Sequence, residues 1–88
     1  MDRAVIVFLM QGCPACHDYE PRFKRIASPL RGRLPMAIKD VHQAAPLADR
    51  FGIKVTPTTV VWKNGRAKKI EGAVPDTQIV SLLRQAIG

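Results

Sequence analysis

Seven consecutive apolar residues, 4–10 (AVIVFLM), lead into Gln11-Gly12 and then Cys13-Pro14-Ala15-Cys16. A run this short, rich in Val, Ile and Phe and without polar alternation, is the pattern of a central strand covered on both faces. Covering both faces takes helices on either side, which directs the chain towards an α/β layered fold. The run is far short of the roughly 20 residues needed to cross a bilayer. It follows Asp2-Arg3 and precedes no small-x-small cleavage site, so it reads as a strand and not as a signal peptide. The expected compartment is therefore the cytoplasm, with no membrane partner.

The remaining elements follow from period and punctuation. Pro14 suits the first turn of a helix, where its missing N–H costs nothing. Cys16, Tyr19, Phe23 and Ile26 recur at spacings of three and four and form one apolar stripe. Pro21 lies inside that stripe and predicts a kink, and Ser28-Pro29 and Gly32 end the helix. Residues 34–41 (LPMAIKDV) read as a second, more exposed strand, and residues 43–51 as a short helix stopped by Gly52. A β-branched strand, TTVVWK, precedes Asn64-Gly65, a strong two-residue hairpin signal, and a fourth strand covers 66–71. Residues 72–76 turn into a last helix whose apolar face is Ile79, Leu82, Leu83, Ala86 and Ile87. The order is β-α-β-α-β-β-α. A right-handed crossover makes the first two strands parallel, and the hairpin makes the last two antiparallel. The expectation is a four-stranded mixed sheet with helices on both faces.

The chain has 88 residues, of which 47% are hydrophobic and 24% charged. That composition fits one soluble domain over 1–88, burying little more than ~60% of its unfolded surface; the expectation is a monomer. The net charge is +7, but the basic residues are scattered, and none of the five aromatics is interleaved with a basic run as a base-stacking platform requires. The cations, Arg22, Lys24 and Arg25 among them, read as a solvated face, and no nucleic-acid partner is expected.

Two cysteines three residues apart cannot hold a fold together by loop entropy, because the loop they close is tiny. They call for a chemical explanation. Cys13 falls where a buried strand turns into a helix. Free backbone N–H groups and the positive end of the helix dipole there favour its thiolate over its thiol. Cys13 can then attack a disulfide, and Cys16, one turn further in and on the apolar stripe, can resolve the mixed disulfide. Pro14 stiffens the turn, and Ala15 adds little bulk.

Several features together resemble the thioredoxin-like superfamily over residues 4–88. Cys13-Pro14-Ala15-Cys16 follows the first strand, and Pro21 lies five residues after the second cysteine. Val55-Thr56-Pro57-Thr58 is similar to the family's cis-proline loop, Val61-Trp62-Lys63-Asn64-Gly65 to the hairpin after it, and Gly72-Ala73-Val74 to the glycine turn beside the substrate groove. The resemblance implies a cis Thr56–Pro57 bond facing the Cys13 sulfur, with Thr56, Gly72, Ala73 and Val74 as substrate-binding residues. It also implies protein disulfides as substrates, regeneration by a thioredoxin reductase or by glutathione, and no cofactor beyond the Cys13–Cys16 disulfide. The chain departs from the family in three places. Gly12 stands where thioredoxins usually carry tryptophan. Val7, with Ile38 or Lys39 opposite, stands where they bury an aspartate paired with a lysine. Thr56 is commoner before the proline in oxidant or isomerase members.

Alternative readings are weaker. Cys13-Pro14-Ala15-Cys16-His17 fits the c-type haem attachment pattern, but strong strand runs and an Asn-Gly hairpin do not suit a small helical cytochrome. No second Cys-x-x-Cys or spaced histidine pair supports zinc, so no metal is expected. His17 reads as an exposed helix residue. Gly72 to Asp76 carries only part of the glutathione-binding turn of glutaredoxins, and Asp76 reads as a helix-start residue complementing the dipole. A glutaredoxin-type reductase and a non-enzymatic adaptor are the remaining alternatives.

Overall fold

A computed structural model describes residues 2–88. The elements are β1 (Arg3–Leu9), α1 (Pro14–Ala27) with a 3-10 turn at Ser28–Leu30, β2 (Met36–Asp40), α2 (Ala45–Arg50), β3 (Thr58–Lys63), β4 (Arg66–Glu71) and α3 (Asp76–Ile87). The sheet order is β2-β1-β3-β4. β1 pairs parallel with β2 and antiparallel with β3, and β3 pairs antiparallel with β4. This is the expected mixed sheet, and β1 lies inside it, as its unbroken apolar run requires.

Both faces of β1 are covered. Val5, Val7 and Leu9 point to one side and join Tyr19 and Phe23 of α1 with Ile79, Leu82 and Leu83 of α3. Phe8 points to the other and joins Val60 and Ala48 of α2, with Phe51 packed alongside. Each such side chain contributes roughly 1.5–3 kcal/mol on full burial. Val7 is fully buried and sits opposite Ile38, so an apolar pair fills the place where the family buries a charged one.

Two elements are shorter than their patterns suggest. β2 begins at Met36 because Pro35 has no N–H to give the ladder, although its carbonyl accepts from the Val5 N–H at 3.0 Å. α2 begins at Ala45 because the side chain of Asp40 takes the N–H groups of His42 and Gln43 into a turn first. α1 runs continuously through Pro21. Asn64 and Gly65 both take positive φ, 54° and 79°, as a two-residue hairpin with right-handed twist demands.

Candidate active site

The site lies at the end of β1 that leads into α1. Gly12 takes φ 76°, a conformation that a side chain makes costly, and so turns the chain out of the strand. Cys13 follows as the helix N-cap in an extended conformation, with Pro14 in the first turn. The Cys13 sulfur accepts the Cys16 N–H at 3.2 Å, and the Cys13 carbonyl accepts the His17 N–H at 3.1 Å. The Cys13 side chain is thus itself the cap, its sulfur answering one of the orphan N–H groups of the helix start. Cys13 and Cys16 form a disulfide, with Cα atoms 5.2 Å apart. Cys13 is 8% exposed and Cys16 4%, so the second sulfur is the deeper of the two. Ala15 and His17 are exposed.

The Thr56–Pro57 bond is cis. The Thr56 hydroxyl lies 3.5 Å from the Cys13 sulfur and its carbonyl oxygen 3.6 Å from the same atom. Pro57 is buried, and its carbonyl accepts the Gly72 N–H at 2.8 Å. That bond joins the cis-proline loop to the turn carrying Gly72, Ala73 and Val74, all partly exposed. Cys13, Thr56, Pro57 and the 72–74 turn, far apart in sequence, therefore line one margin of the molecule. Thr56 also borders a shallow, mainly apolar depression lined by Met10 (39% exposed) and Val55 (47%) with Val41, Ile53 and Lys54.

Cys16 borders a second feature, a cleft of about 290 Å³ lined by both cysteines with His17, Glu20, Ile38 and Asp40. The His42 and Gln43 N–H groups hold the Asp40 carboxyl below the usual carboxylate range. A larger groove of about 390 Å³, between the end of α1 and β2, lies away from the sulfurs.

Two residues near the site have roles that their sequence positions do not announce. The buried Tyr19 hydroxyl shares a hydrogen bond of 2.7 Å with the Thr59 hydroxyl, fastening α1 to β3 beside the cis-proline loop. Arg22 differs from the solvated cation expected of it. Its side chain is only 21% exposed, and it binds Asp18, Asp76 and the Val74 carbonyl. The Asp18–Arg22 spacing of four was the one local signal for it. Asp76 does start α3 as expected, but both its carboxylate oxygens are taken, by Arg22 and by Arg25.

A four-stranded mixed sheet flanked by helices, a Cys-x-x-Cys pair at the start of α1 and a cis proline opposite define the thioredoxin-like class of thiol–disulfide redox domains. The thioredoxin family model matches residues 1–85, and the chain belongs to that family. It is 30% identical over 87 residues to human protein disulfide-isomerase A4, covering 96% of this chain and 14% of that one. It is 28% identical over 85 residues to the mitochondrial thioredoxin of Bos taurus, covering 96% of this chain and 51% of that one. The chain thus spans about half the length, or less, of these relatives. Among solved structures, the thioredoxin of Malassezia sympodialis (Mala s 13) superposes with a TM-score of 0.83 at 26% identity, covering 97% of this chain and 76% of that one. The thioredoxin of Fasciola hepatica shares the fold with a TM-score of 0.84 at 23% identity, covering 97% and 81%.

Proposed function

We propose that this chain reduces or exchanges protein disulfides, with Cys13 as nucleophile and Cys16 as resolving thiol. The observation that carries the reading is the Cys13 sulfur at the helix N-cap, accepting a backbone N–H at 3.2 Å. In the reduced protein the same N–H and the helix dipole favour the thiolate. The Cys13 thiolate attacks one sulfur of the substrate disulfide, forms a mixed disulfide and releases the other sulfur as a thiolate. Cys16 loses its proton and attacks the Cys13 sulfur. The second substrate thiol departs, and the Cys13–Cys16 disulfide remains. The substrate has gained two electrons, and the protein has lost them. No base stands beside Cys16 at Val7 or Ile38, so its proton leaves through the cleft shared with His17 and Glu20.

The substrate strand lies along Thr56 and the Gly72-Ala73-Val74 turn, pairing with their backbone as an added short strand. The exposed apolar pair Met10 and Val55 beside Thr56 suits a protein surface better than a small polar disulfide. A dithiol reductase of the thioredoxin reductase type is the donor we favour over glutathione. Asp76, the residue placed to meet a glutathione amine, already has both oxygens paired to arginines.

The test is reduction of a protein disulfide by dithiothreitol with and without this protein. Acceleration is expected, with none from Cys13→Ser, while Cys16→Ser accumulates mixed disulfides with its substrate. No acceleration by the unaltered protein, or full activity in Cys13→Ser, removes the reading.

A further inference from the structure

We propose that Arg22 is a positioning residue that fixes the 72–74 wall of the substrate groove relative to Cys13; this rests on the groove assignment above. Arg22 sits on α1, the helix that Cys13 caps. Its guanidinium donates to the Val74 carbonyl at 2.9 Å and to an Asp76 oxygen at 2.7 Å. On its other side it donates twice to Asp18, at 2.8 and 3.3 Å, and its second amino group lies 3.5 Å from the Ala73 carbonyl. The Tyr19 ring lies 5.7 Å beneath it. The neighbouring cations Lys24 and Arg25 are 61% and 63% exposed, against 21% for Arg22.

The bonds to Ala73 and Val74 matter most for the site. The 72–74 turn is tied to the cis-proline loop through Gly72 and Pro57, and to α1 through Arg22. A circuit therefore closes around the groove. It runs from Cys13 to Thr56, along the chain to Pro57, across to Gly72, along to Val74, across to Arg22, and back up α1 to Cys13. Loss of Arg22 opens this circuit on the side that no backbone bond to α1 covers. The wall then drifts, and an extended substrate loses a pre-set partner, whereas the sulfurs keep their own hydrogen bonds. A lysine cannot substitute fully, because a single ammonium does not span carboxylates and carbonyls on two sides as a planar fork does.

The experiment compares the unaltered protein with Arg22→Ala, Arg22→Lys and, as control, Arg25→Ala, which loses a bond to Asp76 but none to the turn. Each is assayed with a protein disulfide and with a small aromatic disulfide that needs no groove. Arg22→Ala is expected to raise KM for the protein disulfide about tenfold, the size of one lost charge-assisted hydrogen bond. Its kcat, its rate with the small disulfide and its Cys13 alkylation profile stay within about twofold on the same reasoning. Arg22→Lys falls between, and Arg25→Ala matches the unaltered protein. An unchanged KM in both Arg22 variants overturns the proposal. So does a parallel loss with both substrates, the mark of general destabilisation. If Arg22→Ala does not fold, Arg22→Lys decides alone. Failure of the unaltered protein to reduce any protein disulfide sinks the underlying functional reading instead.

Discussion

The Thr56 hydroxyl lies 3.5 Å from the Cys13 sulfur, although 43 residues separate them. It adds a side-chain donor to the backbone N–H that already reaches that atom. Thr56→Val keeps the shape and removes the donor. Because a hydrogen bond to a charged group is worth about 1.5 kcal/mol or more, Thr56→Val should slow alkylation of reduced Cys13 near pH 6 by up to about tenfold. The pH dependence of alkylation by iodoacetamide measures this directly, and a rate equal to the unaltered protein's would show that the hydroxyl does not hold the thiolate.

Tyr19 and Thr59 satisfy each other in a fully buried position. Tyr19→Phe leaves the Thr59 hydroxyl without its partner and should cost about 1–3 kcal/mol, lowering Tm by roughly 4–8 °C per kcal/mol in a domain of this size. Tyr19→Phe with Thr59→Val should cost less than the two single changes added together, because no orphaned group remains. Thermal unfolding of the three variants checks this, and strict additivity would count against the bond.

Burial pushes the Tyr19 phenol up from its ordinary value near 10, against smaller opposing effects of the Thr59 bond and the Arg22 charge. The unfolded phenol ionises first as pH rises past 10, so the folded state then holds more protons. Stability is therefore full below pH 10 and declines above it. Urea midpoints should fall over that range in the unaltered protein and fall less in Tyr19→Phe.

Asp40 acts at the other end of the pH scale. The backbone N–H groups of His42 and Gln43 hold its carboxyl below the ordinary 3.8. The unfolded carboxyl takes up its proton first as pH falls. Its stabilising effect is thus present above 3.8 and is lost as pH drops through the lower folded value. Asp40→Ala should shift urea midpoints least at the lowest pH and most near neutrality. An equal shift at every pH would mean that the charge plays no part.

Much of this architecture was legible in the chain because it is written in local patterns. The apolar run 4–10 names β1 and its central place, and Asn64-Gly65 names the hairpin, since few other residues accept positive φ twice in succession. The N-cap at Cys13 follows from a strand end, a glycine and Pro14. What was not legible depends on distance along the chain. The Tyr19–Thr59 and Arg22–Val74 bonds join residues 40 and 52 positions apart, and no period or spacing encodes such a meeting. Arg22 resembled its neighbours Lys24 and Arg25 in sequence, and its reach to the Ala73 and Val74 carbonyls, which neither neighbour makes, distinguishes it. The cis form of the Thr56–Pro57 bond came from family resemblance, since local sequence alone seldom specifies that isomer. The borders of β2 and α2 shifted because Pro35 and the Asp40 turn act on single hydrogen bonds that hydropathy does not register.

β4 closes one side of the sheet with Arg66, Lys68 and Lys69 all exposed. If two copies approached along this margin, cation would face cation over several ångströms, and like charges directly opposite are destabilising. Such like charge along the edge is expected to oppose extension of the ladder at its outward row of main-chain donors and acceptors. Replacing the three cations by threonine should increase self-association in sedimentation relative to the unaltered protein; identical behaviour would show that these charges do not govern the edge.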